Sequence, residues 1–531
     1  LGRTNPFYGI DYFYFSIHKN KLILPLLGIL NFAKPLKNKK WTSFFMFKQL
    51  FIKKSLKDLL NQASQSSRGL TRSLGPVNLT AMGVGAIIGA GIFVLTGQAA
   101  AQYAGPGILI SFVLAAMICI FAALCYAEFA SLIPIAGSAY TYAYVTMGEL
   151  TAWIIGWGLT MEYLFSAATV SVGWSGYFVS LLQDFGIQLP SFLASSPLSY
   201  EIGIGWEATG AIINLPAMLI VAIMGTLVSI GIKAAAGFNN LMVIIKMGVI
   251  LLFIGCGIAF INLDHLIPFI PENTGEFGSY GLSGVLRGAG VVFFAFIGFD
   301  ALSTLAQEAR NPQKDLPIGM LGSLGISTLA YIVIGIILLG IVPYTMLDVP
   351  DPIAVAVNAL GPKFIWLRLV LKFAILAGLT SVVLVMILAQ SRIFYTMAND
   401  GLLPKSFSQI SKRFHTPFFT SIVVTLAAMV LAGIFPVGIL GQLTSMGALL
   451  AFAIVCFGIL ILRYKQPLLH RPFKTPFVPW IPLAGTLCCI IQMLAFPAVS
   501  WWQMLIWMMI GGIIYFAYGI KNSKIRQLVK K

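Results

Sequence analysis

The sequence predicts an all-α membrane protein of twelve transmembrane helices, ten of them in a five-plus-five inverted repeat with broken helices 1 and 6. Three observations carry that prediction. The 531 residues are 58% hydrophobic and 10% charged, with a mean hydropathy of +0.91, which is a polytopic membrane composition rather than a soluble one. Basic and acidic residues alternate from one inter-span segment to the next. Two apolar runs, five spans apart, carry glycine at their centres.

The spans fall at 77–103, 107–133, 150–183, 212–232, 238–261, 285–307, 319–343, 364–398, 417–435, 439–462, 478–498 and 501–520. The first repeat is then 77–261 (spans 1–5), the second 285–462 (spans 6–10), and 478–520 holds spans 11 and 12. Residues 1–45 read as a non-native or disordered N-terminal extension, with Met46 as the natural start. Their apolar run Leu22–Phe32 is too short to cross a bilayer, which takes about 20 residues. Residues 46–76 open with MFKQLFIKKSLKDLL, a basic amphipathic stretch suited to a cytoplasmic membrane surface. Residues 521–531 form a basic cytoplasmic tail.

Charge sets the orientation. The segments before span 1, after spans 4, 6, 8 and 10, and after span 12 hold Arg68, Arg72, Lys233, Arg310, Lys314, Lys405, Arg413, Lys465, Arg471 and Lys521. The loops after spans 3, 5, 7 and 9 hold Asp184, Glu201, Glu207, Asp264, Glu272, Glu276, Asp348 and Asp351, and are free of Lys and Arg apart from Lys363. The positive-inside rule places both termini in the cytoplasm, which requires an even number of spans.

Span 1, VNLTAMGVGAIIGAGIFVLTGQAAAQY, carries Gly83, Gly85, Gly89 and Gly91. Glycine inside a helix costs about 1 kcal/mol relative to alanine, and backbone freed in hydrocarbon must find partners within the protein. Gly89-Ala90-Gly91 therefore reads as a break lining a cavity, with free N–H groups on one side and free carbonyls on the other. The alternative is close helix packing through Gly85 and Gly89. Span 6 reads VLRGAGVVFFAFIGFDALSTLAQEA, with Gly298 and Asp300 after a run of aromatics. Two interrupted helices at matching positions of two halves point to an inverted-repeat transporter with a midplane site.

Few charges lie inside the spans. Lys246 sits mid-span 5, where a lysine costs at least ~2.5 kcal/mol. It reads either as a tie to backbone carbonyls or as a proton carrier or fixed surrogate for a bound cation. Glu162, mid-span 3, is the natural partner for Lys246 or for a substrate ammonium in the membrane, with a structural hydrogen bond as the alternative. Glu128, near the inner end of span 2, reads as a structural or gating group, and Arg392, near the inner end of span 8, as a cap on carbonyls or the partner of an acid. Asp300 and Glu308 close span 6.

Enzyme chemistry finds no support. HExxH and GxSxG are absent, and all four histidines (18, 265, 415, 470) lie outside the spans. The six cysteines (119, 125, 256, 456, 488, 489) lie in apolar segments without ligand spacing and read as small core residues. The glycines of span 1 lack the preceding strand and following acid of a dinucleotide fingerprint. The net charge of +17 is spread over short loops and tails, which argues against nucleic acid.

The motifs GAIIGAGIFVLTG, YAEFASLIPIAGSAYTYAYVTMGE, MEY, FNNLMVIIK, FFAFIGFDALSTLAQEARNPQKDLPIG and QSRIFYTMANDGLLP together resemble the amino acid–polyamine–organocation superfamily. Within it they are similar to the bacterial branch of the cationic amino acid transporters, from about Met46 onward. The resemblance implies the fold of sodium-coupled amino acid transporters. It implies a substrate carboxylate at backbone N–H groups of Ile87, Ile88, Gly89, Ala90 and Gly91, and an α-amino group at carbonyls of Phe294, Ala295, Phe296 and Ile297. Phe296 and Phe299 would gate or line the pocket, and Met386 would face the substrate side chain. Lys246 and Glu162 match positions linked to proton coupling, Lys246 standing where relatives hold sodium.

The function implied is a secondary active permease importing L-amino acids by proton symport with alternating access. An exchanger without net proton coupling and a non-transporting sensor are the alternatives. No cofactor or metal is expected beyond the proton as coupling ion. The expected partners are the amino acid, protons, membrane lipids and a candidate small membrane protein. The expected location is a bacterial inner membrane, crossed many times. The apolar pocket favours a small or medium neutral amino acid over arginine or lysine.

Overall fold

The computed structural model describes residues 50–55, 74–133, 137–201, 205–230, 232–306, 309–349, 351–414 and 416–530. The expectations for residues 1–45, Met46, most of segment 46–76 and Glu308 lie outside these residues. The first interrupted helix begins as α1 (Pro76–Ile87), with proline in its first turn, where a missing N–H costs nothing. It stops because Ile88 is extended (φ −73, ψ 107). Helical backbone resumes as a π-helical turn Gly91–Leu95, an α-turn Thr96–Ala99 and a second π-helical turn Ala100–Ala104.

There follow α2 (Ile108–Leu132), α3 (Ser138–Thr146), α4 (Glu149–Asp184), α5 (Leu215–Ile230) and α6 (Ile232–Gly257). The second interrupted helix is α7 (Gly281–Phe293), a 3-10 turn Phe294–Phe296, an extended Ile297, and a further 3-10 run Asp300–Leu305. Gly298, at φ +120, takes the left-handed backbone that a side chain would strain. Then come α8 (Pro312–Ile341), α9 (Pro352–Ala359), α10 (Ile365–Asn399), α11 (Phe418–Ile434), α12 (Val437–Lys465), α13 (Trp480–Leu494), α14 (Ala498–Ile514) and a terminal α15 (Lys524–Lys530).

Among the described residues, eight helices are long and apolar enough to cross a membrane. Four shorter apolar helices, α1, α5, α11 and α13, coincide with expected spans 1, 4, 9 and 11. The twelve residues of α1 rise about 18 Å, well short of a ~30 Å hydrocarbon core, so α1 by itself is too short to cross one. The long α4 is the central post, with α10 and α12 packed along it, while α8 packs on α1 and α2. Leu219 and Ile223 on α5, Leu426 and Val430 on α11, and Leu505 and Met509 on α14 are exposed. Such outward apolar faces are the surface a lipid-embedded bundle presents.

Three connections hold structure that the sequence pattern did not announce. Between spans 2 and 3, every residue of α3 is buried, so no polar face gives it helical periodicity. Between spans 7 and 8 lies α9. The acidic loop after span 3 forms an antiparallel hairpin of β1 (Leu198–Glu201) and β2 (Gly205–Ala208), with Tyr200 opposite Trp206.

Candidate functional site

The two interruptions lie against each other. A Cβ at Gly91 would fall 2.2 Å from Ala295 Cα, so Gly91 is what lets the two backbones touch. The sequence put the break at Gly89–Gly91. The structure moves it upstream, with Ile88 leaving the helix and Gly89 irregular, because Gly91 is already inside the π-helical turn. Break and packing coexist in this span. Gly85 also packs closely, its added Cβ falling 2.2 Å from Val243 Cγ2.

A helix start and two helix ends meet here. The N–H groups of Gly89, Ala90 and Gly91 open the second half of the first interrupted helix, and the first N–H groups of a helix have no intrahelical acceptor. The carbonyl end of α1 is claimed from two sides. Lys246 Nζ on α6 donates to Gly85 O at 2.7 Å and Ile88 O at 2.6 Å. Tyr331 Oη on α8 lies 3.0 Å from Ile87 O and 2.6 Å from Ala295 O. Lys246 is 1% exposed. Its charge is met by carbonyls at the negative end of a helix dipole.

Glu162 is not the partner of Lys246, contrary to the sequence expectation. Both Glu162 carboxylate oxygens are buried without a hydrogen-bond donor, and the side chain lies within reach of Asp300 instead. The reason is geometric: α1's end already satisfies Lys246, while Glu162 on α4 faces the 3-10 run after the second interruption. Tyr163, the next residue on α4, donates its hydroxyl to Asp300 Oδ2, leaving Asp300 Oδ1 without a partner. Two ionised carboxylates have only acceptors to offer one another, and the oxygens of Glu162 and Asp300 Oδ1 meet no donor here.

Aromatic rings pack on both sides of the second interruption. Phe296 sits 6.3 Å from Phe112 and 5.2 Å from Tyr331 between ring centroids. Phe299 sits 5.9 Å from Tyr126 and 5.0 Å from Phe452. Phe294, Ala295, Phe296, Ile297 and Phe299 are all buried, as are Ile87, Ile88 and Ala90. Met386, 1% exposed, lies one helical turn after Val382, whose methyl would meet a Cβ at Gly89 at 3.1 Å. Residues four apart share a helix face, so Met386 is on the face of α10 turned toward the break.

Cavities flank the interruptions. One of about 70 Å³ is lined by Met82, Ala86, Gly298, Thr304, Val385 and Arg392. Another of about 560 Å³ is lined by Gln98 and Gln102 of the first interrupted helix, Arg287 of the second, and Tyr280, Glu276 and Asp348 from connecting segments. Farther off, Glu128 takes Arg463 Nη2 at 2.8 Å and lies 2.9 Å from Arg471 Nε, a structural role for that acid.

Two participants carry no motif. Tyr331 is a lone tyrosine in an apolar span, and only the helix faces reveal what it touches. Arg287 stood in view as an arginine inside the apolar run of span 6, a rare enough event to signal function by itself.

The fold and site define a multi-pass helical membrane protein built around two interrupted helices. The chain belongs to the amino acid permease family, whose model matches residues 74–516, and the resemblance to the amino acid–polyamine–organocation superfamily is borne out. It is 41% identical over 479 residues to the branched-chain amino acid permease BcaP of Bacillus subtilis (strain 168), covering 90% of this chain and 99% of that one. It is 40% identical over 474 residues to the methylthioribose transporter of the same organism, covering 89% and 98%. A vacuolar cationic amino acid transporter 4 of Arabidopsis thaliana is 34% identical over 404 residues, covering 75% of this chain and 64% of its own. The relatives are named as transporters and permeases, and this chain is a membrane permease rather than an enzyme.

Proposed function

We propose that the chain is a secondary active permease that imports a neutral L-amino acid with protons, by alternating access. In this reading twelve spans cross a cytoplasmic membrane with both termini inside, and residues 77–261 and 285–462 are inverted repeats. One observation supports it most: the closure of Gly91 on Ala295 brings the N–H groups of a helix start beside the carbonyls of a second interruption. A zwitterion needs those two kinds of partner at one place. The carboxylate takes the N–H groups of Ile88–Gly91. The ammonium takes the carbonyls of Phe294–Ile297, displacing the Tyr331 hydroxyl from Ala295 O.

Lys246 is the coupling group in this proposal. Its bonds to Gly85 O and Ile88 O are charge-assisted and weaken when the proton leaves. Protonation thereby biases the end of α1, and through it the access state, by a differential affinity. Glu162 with Asp300 is a second place for a proton beside the other interruption. Phe296 and Phe299 close the pocket on two sides, and Met386 limits the side chain. The apolar lining and the name of the branched-chain relative support leucine, isoleucine or valine.

A second reading follows from the relative named for methylthioribose. A thioether sugar has neither carboxylate nor ammonium, so it would leave the paired interruptions unused. Reconstituted protein tests both. Uptake of labelled L-leucine and of methylthioribose is measured in proteoliposomes, with and without an inward proton gradient, for wild type and Lys246→Ala. The expected result is gradient-driven leucine accumulation, lost in Lys246→Ala. Leucine swapped across the membrane without accumulation would replace symport by exchange, binding without flux would mean a sensor, and uptake of the sugar alone would establish the second reading.

A further inference from the structure

The larger cavity is lined by a buried cation, Arg287, that makes no ion pair among the described residues. Arg287 is 7% exposed. Its Nη1 donates to Phe277 O at 3.1 Å, and its guanidinium carbon lies 5.3 Å from the centre of the Tyr103 ring. Its Nε is buried without an acceptor. Among the described residues it pairs with no carboxylate. A desolvated arginine is held in such a place against a large penalty unless an anion meets it, and its planar fork suits a carboxylate best.

The same cavity offers acceptors for a cation. Glu276 and Asp348 line it, and Asp348 is held by the Gln102 amide at 3.1 and 3.2 Å. One arginine and two acids in a space of about 560 Å³ match the charges of a zwitterion. The site is separate from the interruptions: Arg287 precedes Phe294 by seven residues of helix, or about 10 Å along the axis. The aromatic contact of Phe112, Phe296 and Tyr331 lies at the interruption itself.

We propose that this cavity is an outer binding site for a small carboxylate, in which Arg287 holds the carboxylate and Glu276 and Asp348 hold the ammonium of an amino acid before it reaches the interruptions. The amino acid identity rests on the proposed function; the carboxylate site does not. Purified full-length protein is titrated calorimetrically with isovalerate, a carboxylate that has leucine's isobutyl group without its α-carbon or ammonium, and with L-leucine. Wild type binds isovalerate, and Arg287→Gln weakens that binding at least tenfold while Arg287→Lys falls between. Asp348→Asn, an exposed position whose substitution leaves the packing of Arg287 untouched, weakens leucine at this site and spares isovalerate.

Isovalerate binding that is absent in wild type, unchanged in Arg287→Gln, or displaced by chloride at equal concentration would overturn the site. If Arg287→Gln does not fold, Arg287→Lys and Asp348→Asn decide: equal isovalerate and leucine affinity to wild type in both would overturn it. Arg287-dependent isovalerate binding together with no leucine transport would keep the carboxylate site and defeat the amino acid reading alone.

Discussion

Ile87 and Ala295, one on each interrupted helix, present their carbonyls to the same Tyr331 hydroxyl, at 3.0 and 2.6 Å. A hydroxyl has a single proton, so one carbonyl is always the weaker partner. The hydroxyl therefore ties the two interruptions together while leaving an acceptor open to a better donor. Tyr331→Phe removes the tie and leaves both buried carbonyls short of a donor. Thermal unfolding in detergent should show a loss of about 1–3 kcal/mol, and uptake should fall. A melting temperature equal to wild type would show that the hydroxyl does not hold the interruptions together.

Gly91→Ala tests the contact of the interruptions directly. The new Cβ would stand 2.2 Å from Ala295 Cα, too close for anything but a shift of backbone. Overpacking of this kind costs about 1–3 kcal/mol. The expected variant still inserts in the membrane but binds and transports substrate at least tenfold more weakly. Normal transport would mean that the two segments separate freely.

The acid pair separates charge from shape. Glu162→Gln keeps the volume and gives the free Asp300 Oδ1 an N–H donor, so stability should hold or rise. If a proton moves at this pair, gradient-driven accumulation should fall in the same variant. Unchanged accumulation with raised stability would make Glu162 a structural residue and leave coupling to Lys246.

Met386→Ser removes bulk from the face of α10 turned toward the break. Competition assays should then show bulkier amino acids, such as phenylalanine, inhibiting uptake more strongly than in wild type. An unchanged competition profile would place Met386 outside the substrate pocket.

Fully buried Glu128 collects the buried Arg471 and the partly exposed Arg463, and a buried pair stripped of one partner loses about 3–5 kcal/mol. Glu128→Ala should lower thermal stability by that order without changing substrate selectivity. A selectivity change would instead link this cluster to the pocket.

The long apolar spans were legible because their ends are marked by charge and turn residues: 150–183 and 364–398 became Glu149–Asp184 and Ile365–Asn399. The interruptions were legible as glycine in apolar sequence, but their register was not. Which of Ile88, Gly89 and Gly91 leaves the helix depends on what packs opposite, here Ala295 and Val382. Lys246 was recognised as costly, yet its partner was misassigned. Sequence supplies no acceptor inventory for a helix end, and two carbonyls at the end of α1, those of Gly85 and Ile88, took the role a carboxylate was expected to fill. The fully buried α3 gave no signal because polar and aromatic residues there face protein on every side.

The buried carboxylate of Glu149 has a history in time as well as a place. It accepts from Tyr144 nearby, and from Tyr515, Ser523 and Arg526, the last of these 377 residues later in the chain. A ribosome delivers those residues long after α4 has been made. The end of the chain thus closes on an acid made early, and removal of residues 515–530 strips Glu149 of the Tyr515, Ser523 and Arg526 donors and keeps Tyr144.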